Sequence, residues 1–453
     1  MEQSDKLLLR SSSSEDTTPE MGIRIGHALA ADYKNVVVGM DLVQSSPMMK
    51  DALVAGLLSS GANVIDIDIV SEPVAAFAAK LGDCCVYVTE FRQFDLISGY
   101  LLINRDGSFF GREQIRRLEA VDQQEKKLPD YKSIGTVKPY YNAIRHYNAE
   151  LLRSVGDNPG GSMVFNCNCG TATDSAPQIL NAIGTDIISI NAQKDRNFVT
   201  SSLSVKEADI RHMKALVEAN PGSIGISMNR VGNLMRVFDE NGDPLTDEEV
   251  LALLVLYLRP EKLAVTMDVS WLISDIFKGR IRIDVNTPHP MPDAEKMKLV
   301  VAVPSSWDIH KAQADNEAQL AFYDGGYVFK DISYSPDAIH AAVILSQFSS
   351  NNNIRDVLDQ FPEYFSESRS YKYTCSQVDF TRMMDQYVTE VSPNFEHGKG
   401  CWRVDMPEGG FFVSFDSEND DTVNVTAEST DKLYLVGLME IIDGLMDKCS
   451  SGQ

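Results

Sequence analysis

Basic residues are scarce in this chain of 453 residues. Lysine and arginine total 41 against 65 aspartates and glutamates, so the formal net charge is −24. Affinity for nucleic acid depends on neutralising phosphates with lysine and arginine. The same shortage of cations argues against anionic membranes. We therefore expect neither nucleic acid nor membrane as a partner, and a surface that repels other acidic molecules.

The chain also lacks a long apolar run. The longest one, Val250–Leu258, is far shorter than the roughly 18 residues that a membrane span needs. Thr246 and Glu249 precede it with the spacing of a helix capping box. The run is therefore predicted to be a buried helix. Lys6–Arg10 is too short for the apolar part of a signal sequence, and we expect the protein to be cytoplasmic.

Cysteine and histidine are few, and neither follows the spacing of a common metal site. The seven cysteines are an odd number, and four of them (Cys84, Cys85, Cys167 and Cys169) fall in or beside strand-like runs. This pattern favours reduced thiols in a reducing compartment. A metal site made from those four thiols stays an alternative, although their spacing matches no standard zinc pattern.

Short β-branched runs alternate with helical patterns, which predicts a series of α/β units. Asn35–Gly39 is predicted to be a buried strand. The next helix is predicted to begin at Ser46 and to end at Gly61, because apolar residues recur every four positions between them. The length predicts about three or four domains. The predicted division is into three α/β/α domains over residues 1–138, 139–243 and 244–365, and an α+β domain over residues 366–453.

Val88–Phe94, followed by Ser98–Tyr100, has the length and flanks of a phosphoserine loop. Together with the order of the α/β units, it resembles the α-D-phosphohexomutase superfamily, which includes phosphoglucomutase, phosphomannomutase and phosphoglucosamine mutase. The resemblance runs from about Thr18 to the C-terminus. It implies four domains around a central cleft and a phosphoserine that exchanges phosphoryl groups with a hexose phosphate. Magnesium assists that exchange in the family.

The residues that carry the family's chemistry are replaced in this chain. Phe91 stands at the phosphoserine position, and a phenyl ring has no oxygen to carry phosphate. The three metal-binding carboxylates become Asn229, Val231 and Asn233. Two amides and a valine do not replace three negative charges around a hard cation. The resemblance therefore predicts that the catalytic residues and the magnesium site are lost, and that the chain has no cofactor.

The loops that recognise sugar and phosphate have changed as well. Ala321–Gly326 takes the place of the sugar loop, with Asp324 at its serine position. Asp405–Gly410 takes the place of the phosphate loop, where acids stand instead of an anion cradle. Arg403 lies just before this loop and is predicted to be a solvated strand residue. Acids at these positions are expected to repel a sugar bisphosphate.

These replacements lead to one main hypothesis and two alternatives. The main hypothesis is a catalytically inactive phosphohexomutase-like protein that serves as a structural or regulatory subunit, with a second copy of itself or an active phosphohexomutase as its partner. One alternative is an enzyme or sensor that uses the cleft for another ligand, and the other is a weak phosphosugar mutase. The residues expected to line the cleft are Glu90, Arg92, Asn229, Arg230, Asn233 and Asp324.

Overall fold

The computed structural model describes residues 18–92, 96–122, 130–197, 207–416, 419 and 421–451. The helices are α1 (Pro19–Asp32), α2 (Ser46–Ser59), α3 (Glu72–Ala78), α4 (Arg112–Asp122), α5 (Ala143–Val155), α6 (Ala176–Ala182), α7 (Glu207–Glu218), α8 (Asp247–Leu258), α9 (Trp271–Phe277), α10 (Ser306–Asn316), α11 (Ala338–Ser349), α12 (Ile354–Leu358), α13 (Gln377–Val391) and α14 (Lys432–Ser451). In this part of the chain no helix is long and apolar enough to cross a lipid bilayer.

The strands form four sheets within the described residues. They are β1 (Asn35–Met40), β2 (Asn63–Ile69), β3 (Cys84–Arg92), β4 (Leu96–Asn104), β5 (Val137–Pro139), β6 (Ser162–Asn166), β7 (Asp186–Ile190), β8 (Ser223–Met228), β9 (Met235–Phe238), β10 (Lys262–Thr266), β11 (Lys298–Ala302), β12 (Leu320–Tyr323), β13 (Gly326–Phe329), β14 (Phe365–Lys372), β15 (Phe395–Gly398), β16 (Cys401–Met406), β17 (Gly409–Phe415) and β18 (Thr422–Ser429).

The first sheet has the strand order β4-β3-β1-β2-β5, and β1 runs parallel to both β2 and β3. Val36, Val37 and Val38 in β1 are all buried. Val36 and Val38 pack with residues of α1 and α2, whereas Val37 faces the larger core shared with the next sheets. A continuous β-branched run is what a parallel strand with both faces covered requires, so the predicted strand at Asn35–Gly39 is confirmed.

The second and third sheets share one design, with the orders β7-β6-β8-β9 and β11-β10-β12-β13. In each sheet three strands are parallel, and the fourth strand pairs antiparallel with its neighbour to form a hairpin. Helix α11 follows the third sheet in the chain and packs both against α8 and β13 of its own unit and against α5, α6 and the second sheet. The two units therefore share a core, which continues into the first sheet.

The fourth sheet is antiparallel throughout, with the order β14-β18-β17-β16-β15. Helices α13 and α14 cover one side of it, and Trp402, Phe411 and Phe380 form the centre of its own core. Three α/β units followed by an α+β unit confirm the predicted fold class. The predicted limits at 138, 243 and 365 stay a prediction, and strand β5 crosses the first of them.

Helix α8 begins with the predicted capping box. The Thr246 hydroxyl accepts from the Glu249 amide at 3.2 Å, and the Glu249 carboxylate accepts from the Thr246 amide at 2.7 Å. We expect Thr246→Ala to lower the free energy of unfolding by about 1 kcal/mol, because an unsatisfied first-turn amide remains. Urea unfolding measures this. Thr389→Ala, at an exposed interior position of α13, is the control and should change it by less than about 0.5 kcal/mol.

Asp337 joins helix α11 to the second unit. Its carboxylate caps α11 by accepting from the His340 amide at 2.9 Å. Both carboxylate oxygens lie within 2.9 Å of the Tyr147 hydroxyl of α5. Complete burial raises the pKa of Asp337 to about 7. Burial also lowers the pKa of His340 to about 4, so this histidine stays neutral at physiological pH.

The raised pKa of Asp337 predicts a pH-dependent stability. A carboxyl with a higher pKa in the folded chain stabilises the fold at low pH and loses that contribution as pH rises through the folded value. Asp337→Asn keeps the cap but does not titrate. From pH 5 to pH 8 the variant should gain about 2 to 3 kcal/mol relative to the natural chain. Urea unfolding at both pH values tests this, and a difference independent of pH would contradict the assignment.

Candidate functional site

Loops at the carboxyl ends of parallel strands are where α/β proteins place their ligands, and three such loops correspond to the predicted site. One loop follows β1, another follows β8, and a third is the turn between β12 and β13. The fourth loop joins β16 to β17 in the C-terminal sheet. These four loops contain, in chain order, Asp41–Ser46, Asn229–Leu234, Tyr323–Gly326 and Asp405–Gly410.

Asp41 forms a buried carboxylate site with two hydroxyl groups. One oxygen accepts from the Ser46 hydroxyl at 2.5 Å, and the other accepts from the Thr89 hydroxyl at 2.8 Å. Asp41 and Thr89 are 3% and 2% exposed. The Asp41 amide donates to the Val88 carbonyl at 2.9 Å, which ties the loop to β3. The sequence interpretation missed this pair, although the place of Asp41 between the predicted strand Asn35–Gly39 and the helix from Ser46 was a signal for it.

The predicted phosphoserine loop is strand for most of its length. Strand β3 continues to Arg92 and pairs with β4, so that Phe91 lies opposite Ile97 and Arg92 opposite Leu96. The side chains of Glu90, Phe91 and Arg92 lie outside the described part of the structure. Thr89 stands two residues before Phe91 in the same strand and is the last residue of β3 whose side chain is described.

Hydrogen bonds of the Asn229 and Asn233 side-chain amides stabilise the loop after β8. The Asn229 side-chain oxygen accepts from the backbone amides of Gly232, Asn233 and Leu234 at 2.8, 3.1 and 3.3 Å. Its side-chain nitrogen donates to the Asn233 oxygen at 2.6 Å. Asn233 is only 3% exposed. The oxygens at both positions are therefore occupied by hydrogen bonds within the loop.

This loop does not fit the magnesium that the resemblance implies. Mg²⁺ takes oxygen ligands and favours carboxylates, whereas Asn229 and Asn233 present neutral amides whose oxygens already accept hydrogen bonds. Nowhere among the described residues do three or more histidines, cysteines, aspartates or glutamates form a group able to hold a metal ion. We therefore assign no catalytic step to a metal at this loop.

Arg230 connects the loop to its surroundings mainly through its backbone. Its carbonyl accepts from the Thr171 amide at 2.8 Å and from the Thr171 hydroxyl at 3.0 Å. The neighbouring Val231 carbonyl accepts from the Glu72 amide of the first unit at 2.9 Å. The Arg230 guanidinium makes one long hydrogen bond with a described residue, 3.4 Å to the Asp195 carbonyl.

Asp324 lies in the turn between β12 and β13, exposed and with a left-handed backbone φ of 49°. It approaches the start of α8, where burial raises the pKa of Asp247, Asp324 adds to the rise and Arg236 opposes it. Asp324, at the sugar-loop position, and Arg236, in strand β9 at the edge of the second sheet, therefore both lie near Asp247. Asn229, Arg230 and Asn233 share one loop, and Asp324 belongs to a separate cluster.

The loop after β16 packs against helix α9 of the third unit and is hydrogen-bonded to it. The Asp405 carboxylate accepts from the Trp271 indole nitrogen at 2.8 Å. A Cβ atom on Gly410 would lie 2.5 Å from the Trp271 ring, so glycine is required for this approach. Glu428, on the adjacent strand β18, accepts from the Trp271 amide and the Ser270 hydroxyl, both at 2.9 Å. The predicted phosphate loop is thus a contact between two units.

Arg403 supports the same contact, and the prediction of a solvated strand residue is wrong. Its side chain is 2% exposed, and its guanidinium carbon lies 3.9 Å from the Trp271 ring centroid. One terminal nitrogen donates to the carbonyls of Met267 and Val269 at 2.8 and 2.6 Å. Burial lowers the pKa of Arg403, and Asp405 opposes that shift.

The four thiols that were left as an alternative metal site are buried. Burial raises the pKa of Cys84 and Cys85, and it raises the pKa of Cys167 to about 12. A thiol binds metal as the thiolate, so these groups are poor ligands near neutral pH. The burial of Cys84 and Cys85 in β3 and of Cys167 beside β6 agrees with packing residues.

Comparisons with known proteins assign the chain a family. Its residues 9–128 match the family described as phosphoglucomutase/phosphomannomutase, alpha/beta/alpha domain I. A probable phosphoglucosamine mutase of Methanocella arvoryzae is 27% identical over 434 residues, which cover 95% of each chain. A protein of the same name from Methanosarcina barkeri is 26% identical over 436 residues, with 94% of each chain covered.

Solved structures support the fold. A phosphoglucomutase/phosphomannomutase family protein from Burkholderia thailandensis has a TM-score of 0.75 at 18% identity, covering 96% of this chain and 94% of its own. Parafusin, a phosphoglucomutase from Paramecium, has a TM-score of 0.68 at 12% identity, covering 97% of this chain and 93% of its own. At these identities the similarity speaks for the fold alone.

The relatives correct three of the predictions. The hypothesis of an inactive subunit is wrong, because two proteins that match nearly end to end are named probable phosphoglucosamine mutases. The prediction that the chain is not an enzyme is wrong for the same reason. The prediction of no cofactor rested on the replaced carboxylates at Asn229, Val231 and Asn233, and the same matches contradict it. That Phe91 and the loop asparagines stand in place of the family's catalytic residues is a fact of the sequence. That the protein is inactive was an inference from this fact.

Proposed function

Because the chain belongs to the α-D-phosphohexomutase superfamily, we propose that it is a phosphosugar mutase that acts on a hexosamine phosphate. The observation that carries this proposal is the match to relatives named phosphoglucosamine mutase over 94 to 95% of both chains. Four units with loops at the carboxyl ends of their strands support it. This is the weak phosphosugar mutase that the sequence left as an alternative.

We propose that Thr89 carries the phosphoryl group in place of a serine at position 91. A nucleophilic hydroxyl needs an adjacent base, and the Asp41 carboxylate accepts from Thr89 at 2.8 Å. Both groups are buried, so bulk water is kept away from the hydroxyl and its carboxylate partner. Thr89 must become accessible when substrate binds, so slow turnover is expected.

Thr89 and Asp41 together account for the phosphoryl group and the proton that move in the reaction. In the forward step, a free sugar hydroxyl attacks the phosphorus of phosphorylated Thr89, a new P–O bond forms, and the bond to the Thr89 oxygen breaks. The proton of the sugar hydroxyl passes through Asp41 to the Thr89 oxygen. In the second step, the Thr89 hydroxyl attacks the other phosphoryl group of the sugar bisphosphate, a P–O bond to Thr89 forms, and the P–O bond to the sugar breaks. Asp41 accepts the Thr89 proton and passes it to the departing sugar oxygen.

Arg230 is the proposed contact for the phosphate group of the substrate. Among the described residues, its guanidinium makes only the 3.4 Å bond to the Asp195 carbonyl. Guanidinium groups bind phosphate with paired, charge-assisted hydrogen bonds. A cation is needed here because Asp324, Asp405 and the net charge of −24 oppose a phosphate ester.

Peptide mass spectrometry tests the proposed nucleophile. The purified chain is incubated with a hexosamine bisphosphate and magnesium, digested, and searched for phosphorylated peptides. We expect phosphate on Thr89 and none on that peptide in Thr89→Val. Phosphate on another residue alone would overturn the assignment of Thr89. The absence of phosphate from every peptide would count against the proposed mutase.

We also propose a cytoplasmic location. All seven cysteines are free thiols, with no disulfide between any pair. Disulfides form and persist in oxidising compartments, whereas free thiols are the usual state in the cytoplasm. Buried pairs such as Cys84 and Cys85 fit that compartment.

A further inference from the structure

The first sheet ends in an open edge at strand β5. All three residues of β5 are exposed. This strand pairs with β2 on one side, and no described strand pairs with its other side. Exposed edges are places where proteins bind other chains unless charges or prolines protect them. Pro139 removes one backbone donor here, so side chains decide what this edge can bind.

Four large apolar side chains stand exposed around this strand. Tyr131, Ile134, Val137 and Tyr141 are 74%, 52%, 43% and 82% exposed. Single exposed apolar residues are common, but four in one short segment form a patch of the kind found at interaction sites. Tyrosine is also enriched among the residues that dominate binding energy at interfaces.

The segment that bears this patch is held firmly to the sheet. The Gly135 amide donates to the Leu58 carbonyl at 2.9 Å, and the Tyr140 amide donates to the Asp66 carbonyl at 2.7 Å. The Thr136 hydroxyl donates to the Asn63 side chain at 3.0 Å. These bonds fix the backbone without covering the four side chains. The patch is therefore presented in a fixed geometry, which lowers the entropy that a partner would cost on binding.

The same segment is basic in a chain that is strongly acidic. Lys132, Lys138 and Arg145 are exposed, and Asp130 is the sole carboxylate between residues 130 and 146. The Lys132 ammonium lies 5.7 Å from the Tyr131 ring centroid, so cationic and aromatic groups are interleaved. We call residues 131–145 the basic edge. The net charge of the whole chain is −24, so this edge is more basic than the average of the chain.

We propose that the basic edge binds an acidic surface of a different protein, with Tyr131 and Tyr141 as its apolar anchors. Lys132, Lys138 and Arg145 can pair with carboxylates of such a partner, and charge complementarity of this kind fixes the orientation of two proteins at an interface. A second copy fits poorly, because a twofold dimer would set basic edge against basic edge.

This proposal goes beyond the mutase function and is tested separately from it. The full chain, with a mild tag, is purified from its native host at low salt, and bound proteins are identified by mass spectrometry. The captured protein is then produced alone, and its dissociation constant for the natural chain is measured. Two variants test the edge, K138E/R145E and Y131S/Y141S. A third variant, L433S/V436S, is the control, because Leu433 and Val436 are equally exposed on α14.

Each edge variant is expected to weaken binding at least about tenfold, and the control is expected to leave it unchanged. Raising the salt concentration should weaken binding of the natural chain and have less effect on K138E/R145E. The proposal is overturned if no protein is captured, if the edge variants bind as tightly as the natural chain, or if the partner has a basic surface. Self-association through the edge, or capture of nucleic acid or lipid, overturns it as well. Mutase activity should be equal in all three variants and the natural chain.

Discussion

Thr89→Val is expected to lower the turnover number of the mutase by about 10²- to 10⁴-fold, because it removes the hydroxyl that carries the phosphoryl group. Valine keeps the shape of threonine, so the strand and its pairing with β4 remain possible. The measurement is the interconversion of hexosamine 6-phosphate and 1-phosphate under saturating substrate. Saturation is needed because the expected loss lies in turnover and not in substrate binding.

Thr89→Ser is the matched control for this prediction. It keeps a hydroxyl within reach of Asp41 and should retain activity within about tenfold, the cost of one misplaced group. Urea unfolding of both variants separates chemistry from folding, because Thr89→Val also leaves a buried Asp41 oxygen without its donor. That loss should cost about 1 to 3 kcal/mol. Equal turnover by Thr89→Val and the natural chain would show that Thr89 is not the nucleophile.

Arg403→Ala is expected to lower the free energy of unfolding by about 3 to 5 kcal/mol, because two hydrogen bonds from a charged and buried donor are lost. The substitution leaves the Met267 and Val269 carbonyls without the guanidinium that donates to both of them. It also removes the cation that lies 3.4 Å from the Asp405 carboxylate. Urea unfolding measures the change, and hydrogen exchange should show faster opening in the loop from Met267 to Ser270.

Arg369→Ala provides the comparison on the surface of the same sheet. Arg369 pairs with Asp443 at 2.8 Å and with Glu367 at 2.6 Å, but its side chain is 40% exposed. Exposed pairs contribute about 0 to 1 kcal/mol, so this variant should differ little from the natural chain. If Arg403→Ala were as harmless as Arg369→Ala, the contact between α9 and the C-terminal sheet would not depend on the guanidinium.

The local patterns of the sequence were sufficient to predict individual strands and helices of the fold. The strand predicted at Asn35–Gly39 is found at Asn35–Met40, and the helix predicted from Ser46 is found at Ser46–Ser59. The capping box at Thr246 is present with both of its hydrogen bonds. These features depend on residues a few positions apart, so periodicity and capping chemistry contain the information.

The contacts between distant segments could not be predicted in the same way. The buried Arg403 guanidinium donates to carbonyls that are 134 and 136 residues away in the chain. Asp41 and Thr89 are 48 residues apart and meet because β1 and β3 are neighbours in the sheet. The sequence placed amides at positions 229 and 233, but their mutual hydrogen bond depends on the backbone of the turn. Burial of a charged group is decided by what folds over it, and a sequence pattern does not contain that information.

The prediction of an inactive protein failed for a related reason. It rested on replaced residues in four loops, and it took Phe91 as the place where a nucleophile must stand. A hydroxyl with a carboxylate partner is present two residues earlier in the same strand, and the tertiary structure reveals it. Chemistry is set by the geometry of groups in space and not by a motif position.

The most direct test of this account is the mutase reaction of the natural chain itself. Purified protein is given hexosamine 6-phosphate, a catalytic amount of the bisphosphate and magnesium, and phosphorus NMR follows the appearance of hexosamine 1-phosphate. Asp41→Asn serves as the matched variant, since it keeps the shape of Asp41 but accepts no proton. The account predicts conversion to equilibrium by the natural chain and at least about a hundredfold slower conversion by the variant. No conversion by the natural chain above a protein-free control would contradict it.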